Sequence, residues 1–417
     1  MKILTLFLAI VLMASCAPRE KSAEPASIAL INATIIDGTG SNPIIGGVLI
    51  IQNKRIKAVG SKENTPVPDN ATVIDLQGKF IIPGLINAHG HVGEVKGIEG
   101  GHYSKENVVD NLEIYARYGI TTVVSLGGDK QEAESVRAVN DTTPDKHARL
   151  YIAGEVINDV PTVDSNKALG VDWMKIRVDD NLGTSQKMSE ETYKAIIARS
   201  HELGYKIATH MYYLDDAKKL LQAGSDMMAH SVRDKPVDEE FIKLMKDRNV
   251  CYCPTLTREL STFVYEQTPA WFNDPFFTKE YDTITIQPLK DPGRQEQVRN
   301  SKNAQTYKKQ LPVAMANLKT LSDQGIPIVF GTDSGVPTRF PGYFEHIEMA
   351  MMAEAGLTPM QILTSATRTA ADCMDLKDVG TLQEGKWADF IVLNADPLGD
   401  IKNTRSIESV WIGGQAI

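Results

Sequence analysis

From Gly84 to Ala371 short apolar runs alternate with amphipathic ones, and this alternation constrains the fold more than any other feature of the chain. The runs "GLINAHGH", "GITTVVSLGG", "ARLYIAGEVI", "DWMKIRV", "YKIATHMY", "SDMMAHSV", "NVCYCPTL" and "IPIVFGTDSG" read as strands. Segments such as "SEETYKAIIARSHELG", "DDAKKLLQAG" and "DEEFIKLMKDRN" place apolar residues at helical spacing between them. Eight strands alternating with helices predict an α/β fold, a (β/α)8 TIM-type barrel over residues 84–374. The aromatic- and proline-rich stretch from Thr257 to Ser301 reads as an insertion after strand seven, over the barrel mouth. The two chain ends have another texture. Residues 28–83 and 375–417 carry short β-branched runs broken by Gly, Asn and Asp, which predicts one small β-sandwich built from both ends.

The N-terminus calls for separate treatment. Lys2 precedes "ILTLFLAIVLMA", too short to span a bilayer, and then "SC". Residues 1–16 are expected to be a lipoprotein signal peptide with Cys16 as the lipidated residue, and 17–27 a polar tether. The protein is then exported and lipid-anchored in the cell envelope. Cleavage near Ser15 would instead leave it soluble in the periplasm or secreted. Cys251, Cys253 and Cys373 remain. Cys251 and Cys253 share one strand face, a poor geometry for a mutual disulfide, and read as buried, inert thiols. A formal net charge of −9 argues against a nucleic-acid partner. The membrane is expected to be met only through the anchor at Cys16, and the oligomeric state stays open.

The chain has 8 histidines, and four of them, His89, His91, His210 and His230, fall at the ends of predicted strands on one face of the barrel. The spacing of His89 and His91 turns both rings to the same side of one strand, where they can bind one metal. Asp333 in "GTDSG" ends strand eight, and Lys175 lies on strand four. A charged ammonium beside a dication would be repelled. A neutral, desolvated amine can react with CO2 to give a carbamate, whose two oxygens can bridge two metals. Lys175 therefore predicts two divalent ions, with His89, His91 and Asp333 on one and His210 and His230 on the other. Imidazole-rich ligation points to zinc.

These motifs, with "PGLINAHGH", "WMKI", "ATH", "MAHS", "GTDSG" and the tail "GLTPMQILTSATRTAADCMDL", resemble the amidohydrolase superfamily of metal-dependent hydrolases over nearly the whole mature chain. The lysine at strand four is similar to that of the branch with a carboxylated lysine and two metals, and the chain resembles that branch's imidazolonepropionase-like and Xaa-Pro dipeptidase-like members. The resemblance implies hydrolysis of an amide, peptide or cyclic amide C–N bond of a small molecule or short peptide by a metal-bridging hydroxide. It gives Asp333 the role of base, then acid. An aminohydrolase (deaminase) of the same fold is the enzymatic alternative, although "ATHMYYLDD" lacks the glutamate those enzymes place after strand five. A non-catalytic ligand-binding lipoprotein is the other.

Candidate substrate contacts are Tyr212, two residues after His210, His102 in the loop after strand one, and Arg233 after strand six. Barrel packing, an exposed loop and a surface arginine are the respective alternatives. His346 is expected to be structural, and His147 and His201 to lie at the surface.

Overall fold

A computed structural model describes residues 26–141 and 146–417. Cys16, the signal segment and nearly all of the tether lie outside the described residues. The chain ends meet as expected, with a different architecture. Strands β1 (Ser27–Ile35), β2 (Ile44–Gln52), β3 (Arg55–Ser61), β4 (Thr72–Asp75) and β5 (Phe80–Pro83) come from the first end. Three strands from the far end of the chain complete the sheet. Where a β-sandwich was expected, the two ends form one hydrogen-bonded, eight-stranded mixed sheet. The cause is β1, which pairs antiparallel with β2 on one edge and parallel with both β4 and β5 on the other, so hydrogen bonds run without a break.

The core strands are β6 (Leu85–Gly90), β7 (Ile120–Ser125), β8 (Arg149–Ile152), β9 (Met174–Arg177), β10 (Ile207–His210), β11 (Met227–Ala229) and β12 (Cys251–Cys253). All pairings among them are parallel, in the orders β6-β7-β8 and β9-β10-β11-β12. Single parallel bridges link Ile157 to Ile176, Tyr252 to Ile328 and Ser334 back to Gly90. The eighth run therefore lies in the expected place but joins through bridges alone. Asp333 there has φ 59°, and a left-handed residue breaks a strand ladder. Strands buried on both faces explain the near-continuous apolar runs. The sheet of the two ends is completed by β13 (Phe390–Leu393), β14 (Ile407–Ile412) and β15 (Gln415–Ala416), with β13 pairing antiparallel to β5.

One buried ion pair ties the sheet to the core. Arg149 on β8 donates from Nε to Asp389 at 2.6 Å, and Asp389 also accepts the Gly413 backbone N–H at 2.7 Å. The Arg149 guanidinium lies 4.1 Å from the Trp387 ring centre, and Arg55 lies 4.0 Å from that same centre.

The cysteine reading is corrected. Cys251 is bonded to Cys373, across 122 residues, while Cys253 stays buried and free. The base of β12 lies where the helix Arg368–Cys373 folds beneath the core, which brings the two Cα atoms to 6.3 Å. Only the fold creates that proximity.

Candidate active site

His89 is the fifth residue of β6, and His91 stands one residue past its end. Lys175 is on β9, His210 closes β10, His230 follows β11, and Asp333 ends the eighth run. These six residues, expected as metal ligands, line one cavity of about 400 Å³ together with Leu126, Val156, Arg177, Asn181, Arg258, Val336 and Arg339. Five of the six are buried, and His91 is partly so.

The rings lie close together. Centroids are 4.2 Å apart for His210 and His230, 4.6 Å for His89 and His230, and 5.7 Å for His89 and His91. Asp333 Oδ1 is 2.8 Å from His91 Nε2 and 3.5 Å from His89 Nε2. The Lys175 amine is 3.2 Å from His89 Nε2, and burial pushes it down to about 8.

Protonation follows from the partners. His91 Nδ1 must donate to the Gly127 carbonyl at 3.0 Å. In the neutral ring the Nε2 lone pair then points at the Asp333 carboxylate, two acceptors face to face. His210 donates from Nε2 to Asp179 at 2.9 Å, which leaves Nδ1 as its lone pair. His230 Nδ1 is 2.7 Å from the Thr255 hydroxyl. Burial, above all, holds His89 and His230 well below the ordinary histidine range and takes His210 down to about 3, so these rings stay neutral. His89 Nδ1 is buried and has no hydrogen-bond partner. Burial would raise the Asp333 carboxyl, but Arg339 beside it, then His91 and His89, hold it well below the usual carboxylate range. Neutral imidazoles and an ionised carboxylate facing one space form a donor set suited to divalent cations. His89, His91 and Asp333 in particular can offer their ligand atoms within 4.8 Å of one another.

The three substrate candidates stand elsewhere. Tyr212 is buried outside the cavity lining, where its hydroxyl donates to Gln310 and its ring stacks edge-on with Tyr213. The chain has already left the strand at His210, so inward alternation does not reach it. Arg233 is fully buried, with Nε 3.0 Å from Glu259 and its guanidinium over the Tyr212 ring. His102 is exposed and 3.9 Å from Glu99. His346 is buried and hydrogen-bonded to Tyr118 and Thr404, and His201 pairs with Asp226. His147 is half-buried, and its Nδ1 bonds the Ala148 carbonyl.

Sequence reasoning missed Asp179, Arg177, Arg258, Arg339 and Thr255. Asp179 and Arg177 share the parity of Lys175 along the same run, and that signal was available. Arg258 lies in the first turn of the inserted helix Leu256–Phe263, and Arg339 sits in the loop after Asp333, where no periodicity marks them. From the insertion, Arg258 reaches the cavity, while Trp271 and Phe277 pack against Phe340 and Tyr343, and Phe272 stacks on Phe277.

The amidohydrolase family matches residues 80–417. This chain belongs to the amidohydrolase family. Its members hydrolyse carbon–nitrogen bonds and generally bind metal. Among known sequences it is similar to a 5-methylthioadenosine/S-adenosylhomocysteine deaminase of Bacillus cereus (strain 03BB102), 24% identical over 396 residues, covering 87% of this chain and 84% of that protein. Among solved structures it is similar to molinate hydrolase, with TM-score 0.75 and 21% identity over 94% of this chain and 95% of the other. A Xaa-Pro dipeptidase with methionine bound in its active site gives TM-score 0.74 and 19% identity, over 94% and 99%. These amidohydrolases share the fold of this chain.

Proposed function

We propose that the chain is a two-metal hydrolase of an amide, dipeptide-like or cyclic-amide substrate that carries a carboxylate. The observation that supports it most is the meeting of Lys175, four histidines and Asp333 in one cavity whose remaining wall bears guanidinium groups. In this reading the core strands are those of a closed (β/α)8 barrel. His89, His91 and Asp333 would hold one cation, His210 and His230 the other, and Lys175, carboxylated by CO2, would serve both. When bound, such ions polarise a carbonyl oxygen and acidify water. Zinc suits the imidazole donors.

The chain's own residues do the rest. Asp333, ionised at neutral pH, takes a proton from the attacking water at a carboxylate oxygen and returns it to the leaving nitrogen. Asp179 and Thr255 orient the rings of His210 and His230. Glu259 is shared by Arg258 and Arg233, so two guanidinium groups face one carboxylate. One positive charge is left over on the cavity side, where Arg258 meets the substrate carboxylate. Arg258→Met is expected to raise KM about 10–100-fold for such a substrate, the worth of a charge-assisted hydrogen bond of about 1.5–3 kcal/mol, with little change in kcat.

The test is a screen of N-acyl amino acids, dipeptides and lactam acids, each beside its neutral carboxamide, with release of a primary amine as the readout. Turnover of the acids, lost in part with Arg258→Met, supports the reading. Ammonia release from aminopurine nucleosides and none from the acids would favour a deaminase, the activity named for the Bacillus relative. Export with a lipid anchor at Cys16 is proposed as well. Its support is the signal-like N-terminus and the Cys251–Cys373 disulfide, a bond suited to an oxidising compartment. A Cys16→Ala variant that leaves the membrane fraction would bear it out.

A further inference from the structure

The helix Tyr343–Glu354 buries two carboxylates less than one turn apart, Glu345 and Glu348. A buried carboxylate is costly unless hydrogen bonds compensate it, so what each one holds is informative. Glu345 Oε1 accepts from Asn87 Nδ2 at 2.7 Å, Thr332 Oγ1 at 2.6 Å and Ser334 Oγ at 2.5 Å. Asn87 in turn accepts the His89 backbone N–H at 3.0 Å. Thr332 and Ser334 flank Asp333, and the Thr332 and Asp333 N–H groups donate to the His89 carbonyl at 3.2 and 2.6 Å. One carboxylate oxygen thus ties the His89 run to the left-handed turn at Asp333.

Glu348 serves the neighbouring segment after β12, whose Thr257 hydroxyl also lies 3.2 Å from the Thr332 carbonyl. It accepts the Leu256 and Thr257 backbone N–H groups at 2.8 and 2.7 Å and the Thr257 hydroxyl at 2.7 Å. These are free donors at the start of the helix Leu256–Phe263, whose N-cap residue, Thr255, makes no side-chain cap. Thr255, at φ 46°, is the residue whose hydroxyl meets His230. Neither glutamate lines the cavity.

We propose that Glu345 and Glu348 are positioning residues that divide the site between them: Glu345 fixes His89 and Asp333, and Glu348 fixes Thr255 and through it His230. The proposal rests on the two-cation reading above. Packing alone would be met by an apolar side chain of the same volume, which avoids burying a charge.

The test is cobalt and zinc binding to the purified chain in bicarbonate, by equilibrium dialysis against a competing chelator. His91→Ala and His210→Ala mark which affinity belongs to which half. Glu345→Ala is expected to weaken the His91-sensitive ion about 10–100-fold and the other less than about threefold, and Glu348→Ala the reverse. Glu345→Gln and Glu348→Gln keep an acceptor oxygen and should recover most of the loss. Metal-free thermal unfolding is measured beside each variant. If Glu345→Ala does not fold, Thr332→Val, which removes one donor at constant volume, should weaken the same ion severalfold. Both ions lost alike, in step with metal-free stability, or both retained at wild-type affinity, would overturn the proposal. A wild type that binds no cation would instead remove the two-cation reading, and the proposal with it.

Discussion

Asp333→Asn is expected to lower kcat by about 10²–10⁴-fold, the usual worth of a positioned general base and acid. The change keeps the shape of the side chain and removes its charge and its proton affinity. Oδ1 faces the His91 and His89 rings, and Oδ2 pairs with Arg339. The fold should tolerate the amide, because the left-handed backbone at this position suits asparagine as well as aspartate. The readouts are kcat and KM on an amide found by the screen, with metal content measured on the same sample. A large fall in kcat with metal retained assigns the proton role to Asp333. A kcat within tenfold of wild type would take that role away from it.

Asp389→Ala is expected to cost about 3–5 kcal/mol of stability, because it leaves the Arg149 guanidinium buried without its counter-charge. Arg149 is 1% exposed, and its Nε and one terminal nitrogen both donate to Asp389. The lost carboxylate also frees the Gly413 N–H, so the effect reaches the joint between β14 and β15. The measurement is the denaturant midpoint, compared at unchanged m-value. The double variant Arg149→Met with Asp389→Leu should recover most of the loss, since replacing a whole buried pair with apolar groups is often neutral. A single variant within about 1 kcal/mol of wild type would show that water reaches this pair.

Much of this was legible in the sequence. Two-residue spacing placed His89 and His91 on one side of β6, and apolar runs buried on both faces announced a parallel core. Lys175, His210, His230 and Asp333 were readable because each sits at or near the end of such a run. The rest was not local. Arg258 and Arg339 enter from an inserted helix and a loop. Cys251 meets Cys373 only once the helix Arg368–Cys373 has folded beneath β12. Strand parity misjudged Tyr212, because it was extended two residues past the strand's last hydrogen bond. The two ends join in one hydrogen-bonded sheet through β1, whose three partners no alternation pattern encodes.

Two bound cations and a carboxylated Lys175 are the centre of the proposed chemistry. The most direct measurement is metal content per chain, on protein prepared with zinc and bicarbonate, beside Lys175→Ala. Near two ions in the wild type and one or fewer in the variant is the predicted result. Equal content in the two proteins would contradict the bridging lysine and point to a single-metal hydrolase on the same strands.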